Sequence, residues 1–257
     1  MFKNLHLLYK TPFSMNLKKT IIAVLSILSI YTSYSQQKEP SLLVFSKTSS
    51  FRHPSISSGV NYFSELKKET NWKIDLSEDA TDFTLENLTN YNVIVFLNTT
   101  GNLFDENQKK AFQKYIENGN GFVGIHAASD TEKEWSWFTN MIGATFKDHP
   151  KVQEAKVFFD KSSEHPAINH LKKEEIFKDE WYNFLKPVAK HVSVLATVDE
   201  SSYEGKRMDT KNHPIIWFHH YNGGRIFYTG LGHTNESYAD ARFQKMIKGA
   251  ILWAANI

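Results

Sequence analysis

The chain of 257 residues contains no cysteine. That absence removes disulfide frameworks, thiolate-bound zinc or iron–sulfur centres, a thiol nucleophile and a lipidated cysteine anchor. Glycine and proline are sparse, with 12 and 7 residues, too few for a collagen-like or low-complexity chain. A long apolar run is missing as well. The most apolar stretch, residues 21–30, covers ten positions, against the roughly 20 needed by a membrane-spanning helix. No charge dominates, because 30 Lys and Arg face 28 Asp and Glu. What is present is 41% hydrophobic and 14% aromatic, enough to build a buried core in one α/β domain or two small ones.

The N-terminus explains the slight basicity. Met15-Asn16-Leu17-Lys18-Lys19 is a short basic segment, residues 21–30 follow as its apolar partner, and Ser33-Tyr34-Ser35 puts small residues just before Gln36. This is the layout of a secretory signal peptide starting at Met15, with Met1–Ser14 upstream of the true start. The expected division is residues 1–35 as N-terminal extension and signal peptide and residues 36–257 as a single domain. Cleavage would take away Lys3, Lys10, Lys18 and Lys19 and no acid, so 26 basic residues would face 28 acidic ones. The expected product is periplasmic or secreted, without a stable membrane anchor. A nucleic-acid partner loses its electrostatic support.

The rest of the chain alternates strand and helix. Apolar runs at Ser41–Phe45, Val93–Leu97 and Gly121–His126, and the alternating segment Trp72–Leu76, read as strands. Helical spacing from Ile56 to Leu66, a short helix at Leu85–Leu88, and a helix opened by Asp105 and closed at Asn118-Gly119 lie between them. Beyond Asp130 the spacing predicts a short helix over Trp135–Met141, strands over Val152–Phe159, Val192–Val198, Ile215–Tyr221 and Arg225–Thr229, and a closing helix over Phe243–Ala254. Asn222-Gly223 marks a hairpin between the last two strands. The pattern calls for a doubly wound, mostly parallel sheet with helices on both faces.

Candidate chemistry gathers after strands, where open α/β sheets place their ligands. Gly124-Ile125-His126-Ala127-Ala128-Ser129-Asp130 has small residues on both sides of a central histidine, as a tight strand-to-helix elbow requires. Thr229-Gly230-Leu231-Gly232-His233-Thr234 delivers a second histidine at a glycine-rich turn, and Phe51-Arg52-His53 a third after the first strand. Asp179-Glu180-Trp181-Tyr182 puts two carboxylates among aromatics and reads equally as a solvated acidic turn. His219-His220 point to opposite faces of a strand, so at most one reaches a cleft. Trp217 and Trp253 read as core; Trp135, Trp137 and Trp181 flank the motif loops and are candidates for stacking on a sugar ring.

These segments, with Pro214-Ile215-Ile216-Trp217 and Trp253-Ala254, resemble the ThuA-like family, named for bacterial trehalose utilisation, over about residues 41–256. The resemblance implies a flavodoxin-like sheet of the class I glutamine amidotransferase superfamily. It implies that His126 stands at the position where the amidotransferases carry their cysteine, and His233 at that of the partner histidine. Thiol chemistry is therefore absent while its cleft is retained. It also implies a role in carbohydrate metabolism on a small sugar, with 3-keto sugars a candidate class, and export of the domain.

On this reading His126, His233, Glu180 and Asp130 are the expected catalytic groups, and His53, Arg52, Tyr182, Ser129 and Trp135 the expected substrate contacts. A divalent metal is an open alternative, its ligands then being His53, His126, His233 and Glu180, although no H-x-H or H-E-x-x-H spacing points to one. Two other readings stay open: a non-catalytic carbohydrate-binding module using the same cleft, and an interaction domain whose histidines are scattered in space. A homo-oligomer is compatible with the sequence.

Overall fold

A computed structural model describes residues 39–208 and 212–257; the expected leader, residues 1–35, lies outside the described residues. The first half runs β1 (Ser41–Phe45), α1 (Ile56–Glu69), β2 (Lys73–Ser77), α2 (Leu85–Leu88), β3 (Val93–Leu97), α3 (Glu106–Glu117) and β4 (Gly121–Ile125). Then come α4 (Ser136–Ile142), β5 (Phe146–Asp148), β6 (Gln153–Phe159), β7 (Glu174–Asp179), β8 (Asn183–Phe184), β9 (Ser193–Val198), β10 (His213–Tyr221), β11 (Gly224–Thr229) and α5 (Ala241–Ala254).

A nine-stranded sheet in the order β2-β1-β3-β4-β11-β10-β9-β6-β7 carries the fold. The neighbours from β2 to β11 pair in parallel, and those from β11 to β7 antiparallel. Only β10 and β6 therefore run against the rest. Within the parallel block β1 and β3 are adjacent while β2 lies outside β1, so the winding reverses between β1 and β3. Such a switch point opens a crevice at the carboxyl ends of the strands.

Side-chain alternation builds a core on each face. Leu42, Val44, Val93 and Val95 face Phe63 and Leu66 of α1 and Phe243, Met246 and Ile247 of α5. Leu43, Phe45, Ile94 and Phe96 face the opposite layer, formed by Phe112 and Ile116 of α3 and Phe138 and Met141 of α4. Local signals agree with the packing. Asp105 closes a capping box with Gln108 at the start of α3. Asn222 and Gly223 have φ of 46° and 97°, the pair of positive angles a tight hairpin turn requires between β10 and β11.

Two features differ from the sequence reading. Strands β5, β7 and β8 were not expected. In β7, Glu174, Glu175 and Lys178 interrupt the apolar pattern because the strand lies at the sheet edge, where charge discourages further pairing. His126 is not the last residue of a strand but the first of a 3-10 turn over His126–Asp130.

Candidate active site

The sheet brings four side chains from distant segments to one point. His53 sits in the loop after β1, His126 at the β4 elbow, Glu180 directly after β7, and His233 in the turn after β11. Each offers one nitrogen or oxygen, and these atoms lie within 4.8 Å of one another. His126 Nε2 is 3.1 Å from His233 Nδ1. Glu180 Oε2 is 3.1 Å from His233 Nδ1 and 3.5 Å from His126 Nε2. The His53 ring stands edge-on to both other imidazoles, with centroids 5.0 and 5.1 Å away. An arrangement scattered in space is thereby ruled out for this set.

Backbone geometry aims these groups. His126 adopts φ +47°, an unusual conformation for a side chain with a Cβ and one characteristic of strained elbows at functional sites. Its Nδ1 meets the Gly230 carbonyl at 2.8 Å. A carbonyl only accepts, so Nδ1 donates to it, and Nε2 is the atom that faces the cluster. Gly232 has φ +117°, and a Cβ there would meet Ile125 Cγ2 at 2.7 Å; only glycine lets the His233 turn lie this close to β4.

Asp179, 2% exposed, fastens two members at once. Its carboxylate accepts from the backbone N–H groups of Gly232, His233 and Glu180 at 2.8, 3.0 and 2.8 Å, and from Ser237 Oγ at 3.0 Å. From the other side, Ser55 Oγ and Asn98 Nδ2 donate to the Gly232 carbonyl. The turn bearing His233 is thus held from β7, from the residue after β3 and from the start of α1.

Burial and charge set the protonation states. Burial, with His126 and His233 adding to it, lowers the pKa of His53 to about 3, so its imidazole is neutral. Burial works against ionisation of Glu180, but hydrogen bonds and charges from His126 and His233 outweigh it and hold the carboxyl at about 2. His233 is raised: burial opposes its charge, and the Glu180 carboxylate more than compensates. His53 Nδ1 is buried without a hydrogen-bond partner.

Imidazole nitrogens and an ionised carboxylate are a donor set for a divalent cation, whose binding displaces any proton on the ligating nitrogen. With bonds of about 2.1 Å, the edge between two tetrahedral ligands is about 3.4 Å. The separations of 3.1, 3.1 and 3.5 Å among His126, His233 and Glu180 fit that edge.

Around the cluster, the Tyr182 ring lies over His126 with centroids 4.0 Å apart, and its hydroxyl is 3.5 Å from His53 Nε2. His149, a residue not singled out by the sequence, donates from Nδ1 to Glu180 Oε1 across 2.8 Å and is partly open to solvent. Its only sequence signal was a histidine before a proline in an irregular stretch. Asn98 and the clamping role of Asp179 were also not foreseen.

The other expected residues are not among the four converging side chains. Asp130 pairs with Lys133 at 2.7 Å. Ser129 is buried, its hydroxyl 2.9 Å from Tyr228 Oη and 3.4 Å from the His126 carbonyl, so it supports the elbow. Arg52 is held by Glu78 at 2.6 Å. Trp135 stacks on Trp137 and Phe138, and Trp181 is core, its Nε1 donating to the Gln153 carbonyl; neither offers a free platform at the cluster. Of the histidine pair on β10, His219 is buried among His191 and Tyr221 and His220 is exposed.

No curated protein matches the chain. Among solved structures it is similar to a putative ThuA-like protein from Bacteroides uniformis, at 26% identity and TM-score 0.73, covering 86% of this chain and 94% of that one. A putative ThuA-like protein from Parabacteroides merdae matches at 20% identity and TM-score 0.69, over 85% and 90% of the two chains. A putative GMP synthase component from Thermoplasma acidophilum shares the fold at 13% identity and TM-score 0.54, over 86% and 96%. The family model described as trehalose utilisation matches residues 41–254. With its amidotransferase-like sheet and the match across nearly all the described residues, the chain belongs to the ThuA family, which ties it in general terms to carbohydrate metabolism.

Proposed function

We propose that the protein is an exported enzyme that processes an oxidised sugar, a 3-keto-glycoside, with a divalent cation held by His53, His126, His233 and Glu180. The observation that carries this reading is the convergence of three imidazoles and one ionised carboxylate at the carboxyl ends of the strands. A bound cation supplies a Lewis acid for the sugar carbonyl oxygen. The carbonyl acidifies the neighbouring C–H. Transfer of that proton to His149 moves its electron pair toward the carbonyl oxygen, and return of the pair expels the glycosidic oxygen, which takes the proton back from His149.

The residues divide this work by position. His126 is fully buried with Nδ1 committed to Gly230, which suits a ligand better than the mobile base expected from sequence. His233 is the most open of the four, the member a substrate meets first on this reading. His149 shares Glu180 and reaches solvent, the place for a group that relays a proton off the cluster. Tyr182 covers the His126 ring and excludes water there.

The test is turnover of 3-keto-glycosides by the mature protein, with and without chelator. Chelator-sensitive release of the aglycone is expected, and absence of turnover on any such sugar by folded, metal-loaded protein would sink the reading. The burial of His53 and His126 favours one rival, a sugar-binding module with a structural cation. Calorimetry followed by recovery of unchanged ligand would support that rival instead.

A further inference from the structure

We infer that Phe51 is the platform on which the apolar face of the sugar ring stacks at the mouth of the cluster. The inference rests on the carbohydrate reading above and adds the contact that orients the substrate. Phe51 is 61% exposed, the most open large apolar side chain among the described residues. It is also in contact with the cluster: its ring meets His53 edge-on at 4.8 Å, and His53 touches both His126 and His233. The ring is therefore one side chain removed from the reacting position, a separation a single pyranose ring can bridge.

The backbone beneath the ring is fixed. Thr100 Oγ1 donates to the Phe51 carbonyl at 2.8 Å, and Ser49 N–H donates to the Thr100 carbonyl at 3.0 Å. An exposed aromatic on an anchored loop is pre-organised for a ligand, because little ordering remains to be done on binding. The chemistry fits one ligand class. The axial C–H groups of a pyranose form an apolar face with a weakly positive edge, which complements the negative face of an aromatic ring. The next residue adds a polar edge, since Arg52 grips both oxygens of Glu78 at 2.6 and 3.2 Å and the pair is half exposed. Of the tryptophans that the sequence suggested for this role, Trp181 is core and the half-buried Trp135 and Trp137 stack on one another, whereas Phe51 stands open beside the cluster.

The experiment is calorimetric titration of zinc-loaded mature protein with methyl 3-keto-glucoside and with methyl glucoside, for wild type, Phe51→Ala and Phe51→Trp. The alanine variant is expected to bind roughly tenfold more weakly, about 1.4 kcal/mol, with zinc content and Tm unchanged. The tryptophan variant is expected to restore affinity and to change its fluorescence on titration. Equal affinity of wild type and the alanine variant would overturn the platform while leaving the sugar reading intact. Failure of wild type to bind either sugar would overturn both.

Discussion

A single buried carboxylate organises the site. Asp179 accepts four hydrogen bonds from N–H and O–H donors, so its charge is satisfied by backbone dipoles and a hydroxyl, not by a cation. Asp179→Asn keeps the shape but turns one oxygen into a donor facing donors. We expect destabilisation on the order of 2–4 kcal/mol and weaker zinc binding, read by chemical denaturation and calorimetry; wild-type values for both would refute the clamp. Gly232→Ala is expected to be as harmful locally, because the residue has φ +117° and no room for a Cβ beside Ile125. A loss of about 1–3 kcal/mol in folding stability is the expected outcome. At this scale the sequence revealed the histidines, since each follows an apolar run at a strand end. It did not distinguish Glu180 from a solvated acid. That distinction depends on Asp179 and Glu180 being packed under the His233 turn, a contact between segments more than fifty residues apart.

The inner strands β1, β3 and β4 of the parallel block were legible because each is buried on both faces and reads as an unbroken apolar run, as in Val93–Leu97, while the edge strand β2 showed by its alternation. The antiparallel part was harder. β6 alternates cleanly and was found, while β7 carries edge charges and β8 spans only two residues. The loop between β6 and β7 is docked by His165, whose ring packs on Phe218, Phe227 and Trp253. Its Nδ1 accepts from Ala167 N–H, and burial lowers its pKa from 6.5 to about 4. The unfolded chain therefore binds a proton between pH 6.5 and 4 that the folded chain refuses. The resulting stability is present above about 6.5 and is lost as pH falls toward 4. His219 on β10, also lowered to about 4 by burial, acts in the same direction. His165→Phe is expected to reduce the loss of stability between pH 6.5 and 4, measured as Tm against pH. An unchanged slope would show that this histidine does not titrate on unfolding.

For the whole molecule, the missing cysteine leaves the elbow after β4 to a histidine. His126 stands there, and three further side chains complete a donor set around it. The proposed leader predicts a mature chain beginning at Gln36, which the intact mass of protein secreted by a native-like host would report; a retained residue 15–35 segment would contradict export with cleavage. The most direct measurement is zinc stoichiometry and affinity of the mature protein, by elemental analysis and calorimetry, alongside Glu180→Gln and His126→Ala. One zinc per chain, bound at least tenfold more weakly by each variant, is the result expected from four ligands at these separations. A folded wild-type protein that binds no divalent cation, or variants that bind it as wild type does, would contradict the account.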